Sequence, residues 1–366
     1  MKKLTSSILV LLISCSAWAQ FHTMKIPQAS PKVVETQTLG ITDITVEYSS
    51  PAVRGRDVWS DVIGSYSDPN LAWRAGANMN TRIKFSTDVM IEGQPLKAGS
   101  YGFHIDTKED APWTLMFAHH DNQWGSYYLD KDKHVALKVE VTPTTCPPSE
   151  QLDYEFINRS ENALTVALEW GEKRIPFEVS VDLNKTVVDN FRYELLGINT
   201  YRWEAWNDAA NWCLNHNTNL EEALEWANRS INGGYNGFAA NKNVTNMTTK
   251  ARLLQALNKA DELKSAISEL KAMNMTAYEA NGLGMFLLRN NMPNDAFEVS
   301  NNALKASPDT WYLKLNRGLS YYFLGKKKSA LKDLESIQTT APEGFRGRLA
   351  EIKNEVEQGT YKIPGT

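Results

Sequence analysis

The chain has 366 residues, 42% of them hydrophobic, enough apolar material to bury cores for two domains of ordinary size. Its formal charge of −4 becomes more negative once the basic N-terminus is set aside, and the positive field that phosphate binding requires is missing. Nucleic acid is therefore excluded as a partner.

Lys2 and Lys3, the apolar run 8–13 and the small-x-small site Ala17-Trp18-Ala19 read in order as a signal peptide over residues 1–19. The mature chain would begin at Gln20. Leu12-Ile13-Ser14-Cys15 also resembles a lipobox, so a lipid anchor at Cys15 is the alternative. Either leader predicts an exported protein, periplasmic or secreted. No later run is long and apolar enough for a transmembrane helix. Two cysteines remain, Cys146 and Cys213, too few for a disulfide framework, and whether they pair is left open.

Residues 20–182 read as one β-domain. Strands are predicted at 42–48, 81–91, 100–106, 113–118, 134–141, 153–157, 163–170 and 175–181, rich in β-branched and aromatic residues and separated by Gly, Pro, Asn and Asp. Ile83, Phe85 and Thr87 alternate with Lys84, Ser86 and Asp88, the period of a sheet with one wet face. So many short strands without helices between them predict an antiparallel β-sandwich or jelly roll. Glu92-Gly93 marks a hairpin turn.

Several blocks of this domain occur in an order that resembles a known family. They are Ser50-Pro51, Arg54-Gly55-Arg56, Trp73-Arg74 with Gly76 and Asn78, Phe85-Ser86 with Asp88, Leu96 with Ala98-Gly99 and Tyr101, Trp113-Thr114, and Trp124-Gly125. Together, over residues 34–182, they resemble the bacterial domain-of-unknown-function family numbered 2911. The resemblance implies a secreted or periplasmic β-rich domain, often joined to helical repeats, with no established activity, cofactor or substrate. Two features depart from the family pattern: the polar stretch 65–70 before Trp73-Arg74, and His104 where an apolar or aromatic residue is expected.

After Asp182 the pattern turns helical, with a linker expected between Asp182 and Asn190 and a second domain over 190–366. Helices are predicted at 203–214, 219–231, 248–257, 260–273, 277–289, 294–305, 311–324, 326–339 and 344–358. Gly284 and Gly318, Ala296 and Ala330, Ala303 and Ile337, and Pro308 and Pro342 are each 34 residues apart, the period of tetratricopeptide repeats. Gly318, Tyr321, Gly325, Ala330, Leu334 and Pro342 fall on that motif, whereas Lys314 and Arg317 replace apolar positions. About four helical hairpins would stack into a solenoid. Trp203, Trp206, Trp212 and Trp226 read as its core and its seam with the sheet domain.

The strongest chemical signal is the crowding of Arg54, Arg56, Trp59, Trp73, Arg74 and Asn78 in predicted loops. Guanidinium forks grip carboxylate, sulfate or phosphate, and flat aromatic faces suit sugar rings, so the cluster predicts an anionic ligand, a glycan among the candidates. The competing reading is structural: the arginines pair with Asp57, Asp61 or Asp88, and the tryptophans close one end of the sandwich. A metal site is a weaker candidate, built from His104, Asp106, His119 and His120. No metal or cofactor motif accompanies these residues, and none is predicted. Nor is there a nucleophile elbow or a carboxylate pair singled out by spacing. The chain is thus expected to be a non-catalytic binding protein whose β-domain captures the ligand. The alternatives are a protein-interaction scaffold acting through the helical repeats, or a hydrolase with an unrecognised site.

Overall fold

The computed structural model describes residues 27–63, 71–108 and 112–364. The signal peptide, Cys15 and the polar stretch 65–70 lie outside them. The chain divides into two compact units between Thr186 and Val187.

The first unit is a sandwich of two antiparallel sheets. One holds six strands in the order β1-β2-β3-β6-β7-β8: Lys32–Leu39, Thr42–Ser49, Thr81–Phe85, Gly99–Asp106, Trp113–Ala118 and Val135–Val141. The other holds four in the order β5-β4-β10-β9: Gln94–Leu96, Val89–Ile91, Ala163–Ser180 and Thr144–Ile157. Alternation drives the layering. Ile44, Val46 and Tyr48 of β2 point inward, as do Ile83 and Phe85 of β3. The sheets meet through aromatic rings: Phe177 of β10 lies 5.5 Å from Phe103 of β6 and 5.7 Å from Phe117 of β7.

Three strand expectations change. The predicted strand 81–91 is two strands in different sheets, because the chain turns a corner at Ser86–Asp88 after Phe85 has paired with Gly99. The strands predicted at 163–170 and 175–181 are one, β10, which crosses Gly171 at φ +59° with a shift in register. And β9 begins at Thr144, nine residues before the predicted strand, running through Pro147-Pro148. It tolerates both prolines because it is the edge of its sheet. Glu92 and Gly93 do form the two-residue hairpin turn, both at positive φ.

The second unit is all helix. The segment expected as a linker is helical from its start: α1, Leu183–Glu194, in which Asp182 Oδ1 accepts from the Lys185 N–H and caps the first turn. Val187, Val188 and Phe191 repeat at helical spacing along it, an apolar stripe too short to stand out in sequence. Then come α2 (Trp203–Asn215), α3 (Leu220–Asn232), α4 (Val244–Ala256), α5 (Ala260–Lys271), α6 (Ala277–Arg289), α7 (Pro293–Ala306), α8 (Trp311–Phe323), α9 (Lys327–Ser336) and α10 (Glu343–Gln358). Links at 257–259, 290–292 and 324–326 fold successive helices into hairpins of tetratricopeptide type. Thr276 and Glu279 form a capping box that starts α6. The repeated glycines do permit close approach, since a Cβ on Gly284 would lie 2.9 Å from Asn316 Nδ2 and one on Gly318 3.3 Å from the Ala330 carbonyl. Trp226 is buried in this core, with Trp206 and Trp212 packed against it.

Candidate functional site

The loops that cross one end of the sandwich leave a cavity of about 400 Å³. Arg54, Arg56, Trp73, Arg74 and Asn78 all line it, so five of the six residues singled out in the sequence converge. Trp59 does not. Its indole Nε1 donates to the Trp170 carbonyl at 3.2 Å, and its ring packs against Trp73, Trp113 and Trp170 behind the wall. Trp73 stacks on Trp170 at 6.2 Å with an interplanar angle of 14°, so one face of the cavity is a fixed aromatic plate. Trp170 is buried, and among the described residues its Nε1 has no hydrogen-bond partner.

Each arginine is held in a different way. Arg56 donates from Nε to the Val53 carbonyl at 3.0 Å and from Nη2 to the Ala52 carbonyl at 2.6 Å. Arg54 Nη2 reaches the Ala29 carbonyl at 3.3 Å, while the Arg54 backbone N–H donates to Glu150. Arg74 is buried; its Nη1 donates to the Asn78 carbonyl at 2.6 Å, and its guanidinium lies 6.0 Å from the Trp124 ring and 5.8 Å from the Tyr127 ring. The carboxylates offered as structural partners are engaged elsewhere. Asp88 takes Lys97 Nζ at 2.8 Å and the Ala98 N–H, which hold its carboxyl below the usual range. Asp57 accepts from the Trp59 and Ser60 N–H groups, and Asp61 from the Asp57 N–H. Among the described residues that line the cavity there are three arginines and no Asp or Glu.

Backbone strain gathers at the same place. Arg54 (φ +52°) and Ala75 (φ +51°) adopt the left-handed region, which costs such residues roughly 1 kcal/mol or more, and Asn78 (φ +61°) adopts it as asparagine readily does. Strain of this kind concentrates where a site demands a particular backbone path.

The weaker metal candidates, His104, Asp106, His119 and His120, are not brought together among the described residues. His104 is fully buried, with Nδ1 2.7 Å from Ser126 Oγ and Nε2 3.3 Å from Gln123 Nε2. The Gln123 amide donates to Nε2, which leaves the proton on Nδ1 to be donated to the Ser126 hydroxyl. Burial, then the charge of Arg74, lowers its pKa to about 4, so the ring is neutral at pH 7. Asp106 is gripped by Lys131 at 2.7 and 2.8 Å. His119 and His120 are exposed; the backbone of His119 pairs with the His134 carbonyl, and the His120 ring lies 4.1 Å from that of His134. Strand alternation put His104 and Asp106 on one side but said nothing of the loop that meets them. Among the described residues no three His, Cys, Asp or Glu side chains gather as metal ligands. Cys146 and Cys213 are free thiols, each with its pKa pushed up, chiefly by burial.

Sequence reasoning missed Trp124, Tyr127 and Trp170 as parts of the site. Trp124-Gly125 had stood out only as a block of family resemblance. Its contact with Arg74 is set by the loop after β7, where Trp124 bridges to Met79 and Gln123 pairs with Asn80, which no local pattern reveals. Gly125, at φ +64°, is required, because a Cβ there would lie 2.9 Å from Arg74 Cζ.

No curated protein matches the chain. Two solved structures are similar to part of it, each at 15% identity. One is YrrB, described as a TPR protein with an unusual peptide-binding site (TM-score 0.33; 48% of this chain, 88% of that one). The other is MamA 41-end from Desulfovibrio magneticus RS-1 (TM-score 0.31; 43% and 88%). Residues 30–179, the strands and loops that build the cavity, match the model of the family described as protein of unknown function (DUF2911).

Proposed function

We propose that the β-unit is a non-catalytic binding module of an exported protein, and that its cavity captures a small anionic ligand. The observation that carries this reading is the lining: the guanidinium groups of Arg54 and Arg56 donate to backbone carbonyls, and the described residues of the wall include no Asp or Glu. A wall of this charge favours an anion. The volume falls within the range of small-molecule sites. Export rests on the leader over residues 1–19, and an N-terminus retained at Met1 in mass spectra of the cellular protein would sink it.

The test uses Arg56, which is exposed and whose guanidinium, among the described residues, donates to the Val53 and Ala52 backbone carbonyls. Arg56→Ala should weaken anion binding by about tenfold to a hundredfold, the value of one or two charge-assisted hydrogen bonds, with the melting temperature unchanged. Calorimetry against sulfate, small carboxylates and neutral sugars reads this out. Failure of every anion to bind, or equal binding by the variant, defeats the proposal.

A second reading gives the helical unit a protein partner. Leu196 and Ile198 are 85% and 72% exposed, and Tyr193 and Tyr235 are also solvent-facing. Leu196→Asp with Ile198→Asp should abolish any crosslinked complex formed in the cell. A complex that survives would rule this surface out.

A further inference from the structure

Beside the arginines lies a second surface that an inorganic anion would leave unused. Trp124, Tyr127 and Tyr128 are 56%, 58% and 74% exposed, three large aromatic side chains within five residues. Residues of this size are ordinarily buried by folding, and an exposed group of them marks a contact surface.

Their exposure is built in by a stitched loop. The Gln123 N–H donates to Asn80 Oδ1 at 2.9 Å, the Asn80 N–H donates to the Gln123 carbonyl at 3.0 Å, and Trp124 bridges to Met79. Beneath, His104 holds Ser126 on one side and Gln123 on the other. The Leu129 N–H then closes the loop on the Ser126 carbonyl at 3.1 Å. The backbone that carries these aromatic residues is thus held in place before any ligand arrives, and little of its freedom remains to be lost on binding.

The chemistry of the two surfaces can be read together. The Nε/Nη2 side of Arg56 is filled by the Val53 and Ala52 carbonyls, which fix the guanidinium and leave its Nη1/Nη2 end for a two-oxygen acceptor. The Ser30 hydroxyl and the Asn78 amide oxygen, also in the wall, accept and donate no hydrogen bond among the described residues and suit neutral hydroxyl groups. Trp124 belongs to both surfaces, lining the cavity and flanking Arg74.

Resting on the anion-binding reading above, we infer that the ligand is an acidic oligosaccharide: one uronate ring sits with its carboxylate on the arginines, and neighbouring rings lie across Trp124, Tyr127 and Tyr128. A pyranose offers a C–H face to an aromatic ring and hydroxyls to Ser30 and Asn78, and a uronate adds the planar carboxylate that matches the Arg56 fork. Sulfate or phosphate alone would satisfy the arginines and waste the aromatics. A neutral glycan would do the reverse.

The experiment is calorimetry on the full chain with galacturonate, trigalacturonate, maltotriose and sulfate. The trimer should bind at least about tenfold more tightly than the monomer, and maltotriose should bind more weakly than either. Tyr128→Ala should erase most of the gain from chain length while galacturonate affinity stays within about twofold, and Trp124→Ala, in the cavity wall, should weaken both sugars, the trimer more than the monomer. Tyr128, the most exposed of the three, guards against a misfolded variant, and Trp124→Phe should recover part of the gain. Trimer and monomer binding equally, or a trimer indifferent to both aromatic variants, overturns this inference and leaves a simple anion site. Binding of no acid at all overturns the anion site as well.

Discussion

His104 has both ring nitrogens engaged beneath the cavity, and that placement ties the stability of the β-unit to pH. An unfolded imidazole titrates near 6.5, whereas the folded one does so at about 4. Above pH 6.5 both states are neutral and the contribution is fully present. As the pH falls from 6.5 to 4 the unfolded chain takes up a proton that the folded chain refuses, and up to about 3 kcal/mol of stability is lost across that window. Urea titrations at pH 7.5 and 4.5 should show this loss in the wild type and a flatter response in His104→Gln; identical pH slopes would refute it. Residue identity alone did not disclose this role. The arginine and tryptophan crowding was legible because those residues lie within twenty-one positions of one another in loops. The meaning of His104 depends on Gln123 and Ser126, which lie far along the chain in the loop after β7 that Asn80 ties down through Gln123.

At the scale of elements, the helical repeats show how a departure from a motif is absorbed. Arg317 stands on α8 where an apolar residue is expected. There it donates from Nε and Nη2 to the two oxygens of Asp333 on α9, at 2.7 and 2.8 Å, and from Nη1 to Asn301 on α7 at 3.2 Å. Asp333 is buried, so Arg317→Leu would strand its carboxylate and should cost about 3 kcal/mol. Arg317→Leu with Asp333→Leu removes both charges and should recover much of that loss, as chemical denaturation of the three variants would show. A double variant no more stable than Arg317→Leu would mean that the fork itself supplies the stability. Periodicity located α2 to α10 because each buries a stripe that repeats over several turns. It missed α1, whose stripe is short, and β1, where Val33 and Gln37 are only half-buried and Val34 faces solvent. It joined β3 to β4 because alternation continues across Ser86–Asp88 while the partner strands change. Pairing is a property of two segments, and one segment cannot display it.

At the scale of the whole molecule, the change from period two to helical spacing after Asp182 lies close to the division between Thr186 and Val187. Each unit has its own hydrophobic core, one running from Leu39 to Val181 and the other from Val188 to Ile363. A unit with its own core should fold alone if the cut spares its boundary contacts. Leu183 lies so close to Gly40 that a Cβ there would be 2.6 Å from its Cδ1, so a β-fragment should extend to Thr186. The helical fragment should begin at Asp182, which caps α1. Residues 27–186 are then expected to give a β-type circular dichroism spectrum, one cooperative melt and the full anion affinity of the intact chain. Residues 182–364 should give a helical spectrum and no anion affinity. All the cavity residues lie in the first fragment, so the affinity measurement bears directly on where the ligand is held. A β-fragment that folds cooperatively yet binds no anion bound by the intact chain would show that the three arginines do not suffice, and would move the search to the helical repeats.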